Sequence, residues 1–283
     1  MSPLPAPTFA SLIQQAQSAG LPRLEAQMLL LHSAGRPSSD RAWLLAHADD
    51  HASAALAEHF EQLCQRRLAG EPVAYLTGRK AFYGLDLHIN PAVLDPRDDT
   101  ETLVDWALEL LPLNGVGSAT RVLDLGTGSG AIALAIKSQR PQAEVSAVDA
   151  SETALAVAQR NSQQLRLPVR FLQGSWFAPV AGERFDLIVS NPPYIAAADP
   201  HLKALGHEPL SALASGADGL DDIRQIISAA PAHLHAGGWL LLEHGFEQGE
   251  AVAQLLAQSG FTSVTQQRDL AGHIRCTGGK TPS

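Results

Sequence analysis

From residue 120 onward, short apolar runs alternate with stretches of helical periodicity, and the first run, Arg121–Leu125, breaks directly into Gly126-Thr127-Gly128-Ser129-Gly130. A strand followed by a helix before the next strand cannot close a hairpin. It enters a parallel sheet whose two faces are covered by the helices. The spacing predicts core strands at Arg121–Leu125, Glu144–Val148, Val169–Gln173, Phe185–Ser190 and Trp239–Glu243. A further pair, Thr262–Arg268 and His273–Thr277, meets across Asp269-Leu270-Ala271-Gly272 and predicts a terminal antiparallel hairpin.

The N-terminal part carries a different pattern. Apolar positions recur at helical spacing through Leu12-Ile13, Leu24-Met28-Leu31, Trp43-Leu44-Leu45 and Leu56-Phe60-Leu63, punctuated by Gly20-Leu21-Pro22, Arg36-Pro37-Ser38 and Gly70-Glu71-Pro72. Residues 1–72 therefore read as a small all-α domain. Ala74-Tyr75-Leu76, Ala81-Phe82-Tyr83 and Leu85–Ile89, separated by Gly78 and Gly84, read as a β-rich linker over 73–94 that contains a hairpin. The α/β domain fills 95–283 and opens on a helix from Thr100 to about Leu111. Two unequal domains suit a chain of 283 residues.

Composition excludes several classes. A formal charge of −9, from 20 basic against 29 acidic residues, repels phosphate backbones, so no stable nucleic-acid partner is expected. Cys64 and Cys276 are the only cysteines and lie far apart, which supports neither a disulfide framework nor a zinc cluster. Cys64 beside Leu56, Phe60 and Leu63 reads as core. The start, Met1-Ser2-Pro3-Leu4-Pro5-Ala6-Pro7, lacks the charged and apolar regions of a signal peptide, and no apolar stretch approaches membrane-spanning length. A cytoplasmic monomer without membrane contact is expected. His47 and His51 stand at helical spacing with no H-E-x-x-H around them, so no metal is assigned.

The glycine cluster lies at the carboxyl end of the first core strand, where an open α/β sheet binds its ligand. Its spacing is G-x-G-x-G, one residue short of the dinucleotide fingerprint, which disfavours a nicotinamide cofactor. Asp149 ends the second strand roughly twenty residues beyond Gly126, where a carboxylate can accept hydrogen bonds from both hydroxyls of a ribose; capping of the next helix is the alternative use. Adenosine is the element common to these features. At the end of the fourth strand stands Asn191-Pro192-Pro193-Tyr194. An amide or exocyclic amino nitrogen is a poor nucleophile because its lone pair is delocalised, so a catalyst must hold its N–H groups in acceptors. The Asn191 side-chain oxygen offers one acceptor and the Pro192 carbonyl a second. The prolines stiffen the turn, and Tyr194 supplies a flat face for a flat substrate. The implied chemistry is methyl transfer to a planar nitrogen.

On these two motifs the sequence resembles the S-adenosylmethionine-dependent methyltransferases, and within them the release-factor glutamine methyltransferase family. The resemblance extends through Glu71-Pro72-Val73-Ala74-Tyr75-Leu76-Thr77-Gly78, Phe82-Tyr83-Gly84-Leu85, Pro96-Arg97-Asp98-Asp99-Thr100-Glu101, Ser175-Trp176-Phe177, Glu208-Pro209-Leu210 and Gly216-Ala217-Asp218-Gly219-Leu220. The family usually has Pro where Asp98 stands. The resemblance implies a Rossmann-like methyltransferase sheet, a substrate-docking helical bundle ahead of it, and a hairpin between them. It implies S-adenosyl-L-methionine as cofactor, S-adenosyl-L-homocysteine as product, and the Gly-Gly-Gln glutamine of peptide-chain release factors as substrate. Gly126, Thr127, Gly128, Ser129, Gly130, Asp149, Trp176 and Asn191 would hold the cofactor, with Trp176 beside the adenine or else in the core. Asn191, Pro192, Pro193 and Tyr194 would hold the substrate, with Asn191, Pro192 and Tyr194 catalytic. The Glu208 and Gly216–Leu220 segments would close over the site or serve as structural turns. A ribosomal-protein glutamine methyltransferase, a methyltransferase for adenine or guanine amino groups, and a non-catalytic cofactor-binding scaffold are the rival readings. Asp99-Thr100-Glu101 favours the release factor, and the acidic charge argues against nucleic acid.

Overall fold

The computed structural model describes residues 6–111 and 120–283. Met1–Pro5, part of the segment read for a signal peptide, lies outside the described residues. By their contacts the residues divide into two units, Met1–Arg79 and Lys80–Ser283.

The first unit is helical: α1 (Phe9–Ser18), α2 (Arg23–Ser33), α3 (Arg41–Ala46), α4 (Ala54–Leu68) and α5 (Val73–Thr77). Three of these helices begin on a side-chain cap. Thr8 accepts from the Ser11 amide at 3.2 Å, Asp40 from Trp43 at 3.3 Å and Ser53 from Leu56 at 3.2 Å, which satisfies amides that have no partner inside the helix. The apolar stripes meet in a core of Phe9, Leu12, Leu29, Leu30, Phe60 and Leu63. Cys64 sits in that core, and burial pushes its thiol up to about 11, so it packs and does not react. His47 stacks on Trp43 with ring centroids 4.3 Å apart, and the His51 ring nitrogen lies 2.6 Å from the Ala6 carbonyl.

The sequence expectation of extended chain at Ala74-Tyr75-Leu76 is wrong: these residues lie in α5. Pro72, with φ of −59°, precedes the helix, and Gly78, with φ of 68°, closes it in the left-handed conformation. These end signals outweigh the strand preference of Val73 and Tyr75.

The hairpin is present as β1 (Arg79–Phe82) and β2 (Leu85–His88). Its turn residues Tyr83 and Gly84 have φ of 49° and 75°, the pair of positive values that matches the twist of a two-residue hairpin. Tyr83 is held in this strained state from α6 (Glu101–Leu110). Its amide donates to Glu101 at 2.7 Å and its hydroxyl to Asp105 at 2.6 Å.

The rest of the chain runs β3 (Arg121–Leu125), α7 (Ala131–Gln139), β4 (Glu144–Asp149), α8 (Glu152–Leu165), β5 (Arg170–Gln173), β6 (Phe185–Ser190), α9 (Asp221–His233), β7 (Leu234–Glu243), α10 (Gly249–Gln258), β8 (Thr262–Arg268) and β9 (Ile274–Lys280). The seven strands form one sheet in the order β5-β4-β3-β6-β7-β9-β8, parallel from β5 to β7, with β9 antiparallel to both its neighbours. The last strand continues through Gly278-Gly279, beyond the expected end at Thr277. Here a Cβ on Gly278 would lie 2.6 Å from the Trp106 ring, so glycine is what allows α6 to pack on the sheet. The core includes Leu123, Leu125, Phe185, Ile188, Leu240 and Leu242 from the central strands, covered by Ile223 and Ile227 of α9 and Val252 and Leu256 of α10.

From β3 the chain builds outward through β4 and β5, then crosses back to β6 and builds outward the other way. The order reverses between β3 and β6, so the carboxyl ends of these strands bound the ligand crevice of such a sheet. Among the described residues no helix is long and apolar enough to cross a membrane, and no group of three metal-ligating side chains could hold a metal ion.

Candidate active site

The glycine loop leaves β3 under tight backbone control. The amides of Gly126 and Thr127 both donate to the Val148 carbonyl, at 2.9 and 3.0 Å. The Gly128 amide donates to the Asp149 carboxylate at 2.8 Å, and a Cβ added at Gly128 would meet nothing within 4 Å, so the loop opens onto free space there. Gly130 does a different job. A Cβ on it would sit 3.1 Å from Leu134 and 3.2 Å from Ala158, so its absence lets α7 and α8 approach. Thr127 turns its hydroxyl inward to Asp124 at 2.6 Å, and buried Ser129 offers its carbonyl to the Asn161 amide at 2.9 Å. These two residues shape the loop from beneath. Burial pushes the Asp124 carboxyl up to about 7, against the Thr127 and Ala133 hydrogen bonds.

Asp149 ends β4, and its second oxygen accepts from the Ser151 amide at 2.9 Å. The cap of α8 is Ser151, which accepts from Ala154 at 3.2 Å, so Asp149 is not the helix cap and instead ties the glycine loop to it. The Trp176 ring packs against the core and also lines the cavity, 3.4 Å from where a Gly126 Cβ would be.

Register brings the tetrapeptide to the same place. Leu125 pairs with Ser190, and the Ser190 hydroxyl donates to the Leu125 carbonyl at 2.7 Å, locking the two strand ends together. Asn191 and Pro193 therefore line the same cavity of ≈ 590 Å³ as Gly126, Gly128, Asp149 and Trp176. Pro192 is buried, while Tyr194 is half-buried with its ring against the core and its carbonyl accepting from Gln248 at 3.0 Å. Burial raises the Tyr194 phenol above its ordinary value, and the nearby Glu243 carboxylate adds to the rise. Pro209 and Ser211 line the cavity from the segment that follows. That segment hangs on Glu208, whose buried carboxylate accepts from the Asp95 amide at 3.2 Å and from the Arg97 guanidinium. Gly219 lies against the Tyr194 carbonyl, and Gly216 against the Asp221 carboxylate.

The chain is 51% identical over 263 residues to a "Release factor glutamine methyltransferase" of Xylella fastidiosa, an alignment covering 92% of this chain and 94% of the relative. The chain belongs to the release factor glutamine methyltransferase family. Relatives with the same description include those of Pseudomonas aeruginosa, at 46% identity over 96% of this chain and 98% of its own, and Escherichia coli, at 44% over 95% of each. Residues 9–78 match the family model described as PrmC N-terminal domain, and residues 101–216 the Methyltransferase small domain. Among solved structures, a methyltransferase from Pyrococcus furiosus shares the fold with a TM-score of 0.53 at 21% identity, over 77% of this chain and 98% of that one. A T. thermophilus 16S rRNA methyltransferase, solved with AdoMet and guanosine, does so with a TM-score of 0.55 at 21% identity, over 72% and 49%.

The family segment Pro96–Glu101 works at this site through residues whose roles the sequence did not expose. Thr100, buried just ahead of α6, accepts a hydrogen bond from the Asn191 amide at 3.2 Å. Asp99 pairs with Arg275 of β9 at 3.0 Å, and Glu101 holds the Tyr83 turn. Asp98 begins a 3₁₀ turn and pairs with Lys80 at 3.0 Å while remaining exposed. Glu243, at the end of β7, is buried; Thr100 and Asn191 lie beside its carboxylate but do not close on it to full hydrogen-bond geometry, and its oxygens have no other partner among the described residues. Burial pushes its carboxyl up to about 7, with Thr100, Arg275 and Asn191 opposing the rise. The sequence signal for Glu243 was only that an apolar run stops on a charge at a strand end.

Proposed function

We propose that the cavity between the β3 and β6 exits binds S-adenosylmethionine and a glutamine side chain together, and that the chain methylates the amide nitrogen, N5, of the Gly-Gly-Gln glutamine in peptide-chain release factors. The observation that carries this reading is the shared lining: Asn191 faces the same space as Gly128 and Asp149. The residues fit an adenosine ligand. Gly128 leaves backbone open to it, Asp149 offers carboxylate lone pairs suited to ribose hydroxyls, and Trp176, packed against Gly126, gives a flat apolar surface. When bound, S-adenosylmethionine supplies an electrophilic methyl carbon on a sulfonium.

The protein's own contribution is at the nitrogen. The Asn191 oxygen and the Pro192 carbonyl accept the two N–H groups of the substrate amide, holding its lone pair on one axis and stabilising the positive charge that develops there. Alignment of two reactants in one cavity lowers the barrier further, on the order of several kcal/mol. A methylated, cationic amide is a strong acid that loses its proton to water, so no dedicated base is needed. Residues 1–72 are read as the substrate-docking domain, 73–94 as the linker and 95–283 as the catalytic domain, in a protein that works as a cytoplasmic monomer.

The test is incubation with labelled S-adenosylmethionine and, separately, release factors, ribosomal proteins and nucleic acids, with the label mapped by mass spectrometry. Label on the release-factor glutamine is expected. Label confined to a ribosomal protein or to nucleic acid would refute the assignment. In parallel, Asn191→Ala should bind cofactor normally by calorimetry while losing turnover by orders of magnitude.

A further inference from the structure

We infer that Glu243 and Thr100 form a positioning chain that holds the Asn191 side chain with its oxygen, not its amino group, toward the substrate. The inference rests on the role given to Asn191 above and deepens it. An asparagine side chain presents a different group at each end, and if its amino end faced the pocket it would oppose the N–H groups of the incoming amide. Something must fix which end points where.

Strand register supplies the neighbours. Ser190 pairs with Leu242, so the next residues along, Asn191 and Glu243, leave the carboxyl edge of β6 and β7 side by side. Thr100 comes from the turn before α6 and is 3% exposed; Glu243 is 1% exposed. The Asn191 amino group donates to the Thr100 oxygen at 3.2 Å. A hydroxyl that accepts at its oxygen is free to send its own proton elsewhere, and an ionised carboxylate can only accept. Glu243, buried beside Thr100 and Asn191 with no other hydrogen-bond partner for its oxygens, is the acceptor that gives the chain its direction: Asn191 donates to Thr100, and the Thr100 proton is directed at Glu243. With its amino end engaged in this way, Asn191 has its oxygen left for the cavity. A buried carboxylate destabilises a fold unless it is used, and here its use is orientation.

Protonation of Glu243 would turn the acceptor into a donor and reverse the chain. The groups that face it are Arg275 and Cys276 of β9, Asp99 ahead of α6, and Tyr194 after β6. Of these, Arg275 favours the ionised form, whereas Asp99 and burial oppose it. Wild-type turnover should therefore fall on the acid side of about pH 7.

The experiment is steady-state methylation of release factor by the full chain, with cofactor affinity by calorimetry and thermal melting alongside. Glu243→Gln keeps the shape but carries a donor; it should lower kcat about 100-fold, as misorientation of a reacting group does. Cofactor affinity should be unchanged and the melting temperature not lowered. Thr100→Val should match that loss and Thr100→Ser should restore activity, and the acid limb of wild type should vanish in Glu243→Gln. Wild-type kcat in Glu243→Gln or Thr100→Val would overturn the inference, as would a loss that tracks a fall in melting temperature or in cofactor affinity. Asn191→Ala separates the two claims. Full turnover in that variant defeats the role of Asn191 itself, whereas loss in Asn191→Ala with none in Glu243→Gln defeats the positioning chain alone.

Discussion

Gly219→Ala tests whether the tetrapeptide is held in place by backbone contact from behind. Gly219 has φ of 77°, and a Cβ there would lie 2.2 Å from the Tyr194 carbonyl oxygen and 2.8 Å from its carbon. The same Cβ would lie 2.8 Å from the Gln248 side-chain nitrogen, which donates to that carbonyl at 3.0 Å, so the methyl group also crowds the hydrogen bond that fixes it. Reaching ordinary contact requires the Tyr194 carbonyl to retreat by roughly 1 Å, because atoms so close are strongly repulsive. Pro192 and Pro193 have fixed φ, so the displacement passes to Asn191 instead of being absorbed in the turn. The left-handed conformation adds about 1 kcal/mol of strain for alanine, a modest loss of melting temperature. Misplacement of a reacting group by about this distance lowers turnover on the order of 100-fold. The assay is kcat for release-factor methylation, with melting and cofactor titration as controls. Gly128→Ala is the comparison: its φ of 55° imposes similar strain, yet its Cβ meets nothing within 4 Å and leaves Asn191 alone. A folded Gly219→Ala protein with wild-type kcat would refute the transmission of the contact to Asn191.

The remaining predictions concern the cofactor side and the buried acids. Asp149→Ala removes the acceptor proposed for the ribose and the anchor of the Gly128 and Ser151 amides; at about 1.5–3 kcal/mol per charged hydrogen bond, cofactor affinity should weaken by roughly 100-fold. Wild-type affinity by calorimetry would overturn the ribose assignment. Gly128→Ala should also weaken cofactor binding, since its methyl group enters the cavity, and undiminished affinity would show that the ligand lies elsewhere. Asp124 and Glu243 both have carboxyls raised to about 7 from 3.8 and 4.5. The folded state binds the extra protons, so their contribution to stability is complete below about pH 4 and is lost as pH rises through about 7. Urea midpoints should fall less between pH 5 and pH 8 in Asp124→Asn and Glu243→Gln than in wild type; an unchanged or steeper fall would contradict the burial assigned to these groups.

Local chemistry was legible where one short segment contained its own cause. The apolar runs at Arg121–Leu125 and Phe185–Ser190 are strands with those ends, and the glycine and asparagine motifs stand directly after them. Their convergence depends on the pairing of β3 with β6, which a pattern of apolar runs suggests only through the general topology of such sheets. Thr100 and Asn191 meet across 91 positions, and no local signal marks a contact of that range. Glu243 looked like the end of an apolar run because burial is a property of the packed sheet and not of its own neighbours in sequence. Ala74-Tyr75-Leu76 reads as extended by residue type alone, whereas Pro72 and Gly78, the residues that start and stop the helix, decide its conformation. Thr127 and Ser129 sit among the glycines of the loop, and only the direction of the Thr127 hydroxyl, toward Asp124, shows what that residue does.

The Leu125–Ser190 pairing has a mechanical consequence. Because the two functional loops spring from opposite members of a single rung of the central sheet, the gap between them is set by the strand-to-strand distance of about 4.8 Å. That distance is among the least deformable in a protein, since every neighbouring rung would have to stretch with it. The outer segments of the molecule are therefore free to vary in length and composition, as a vice may carry any handle, while the separation of its jaws stays the same.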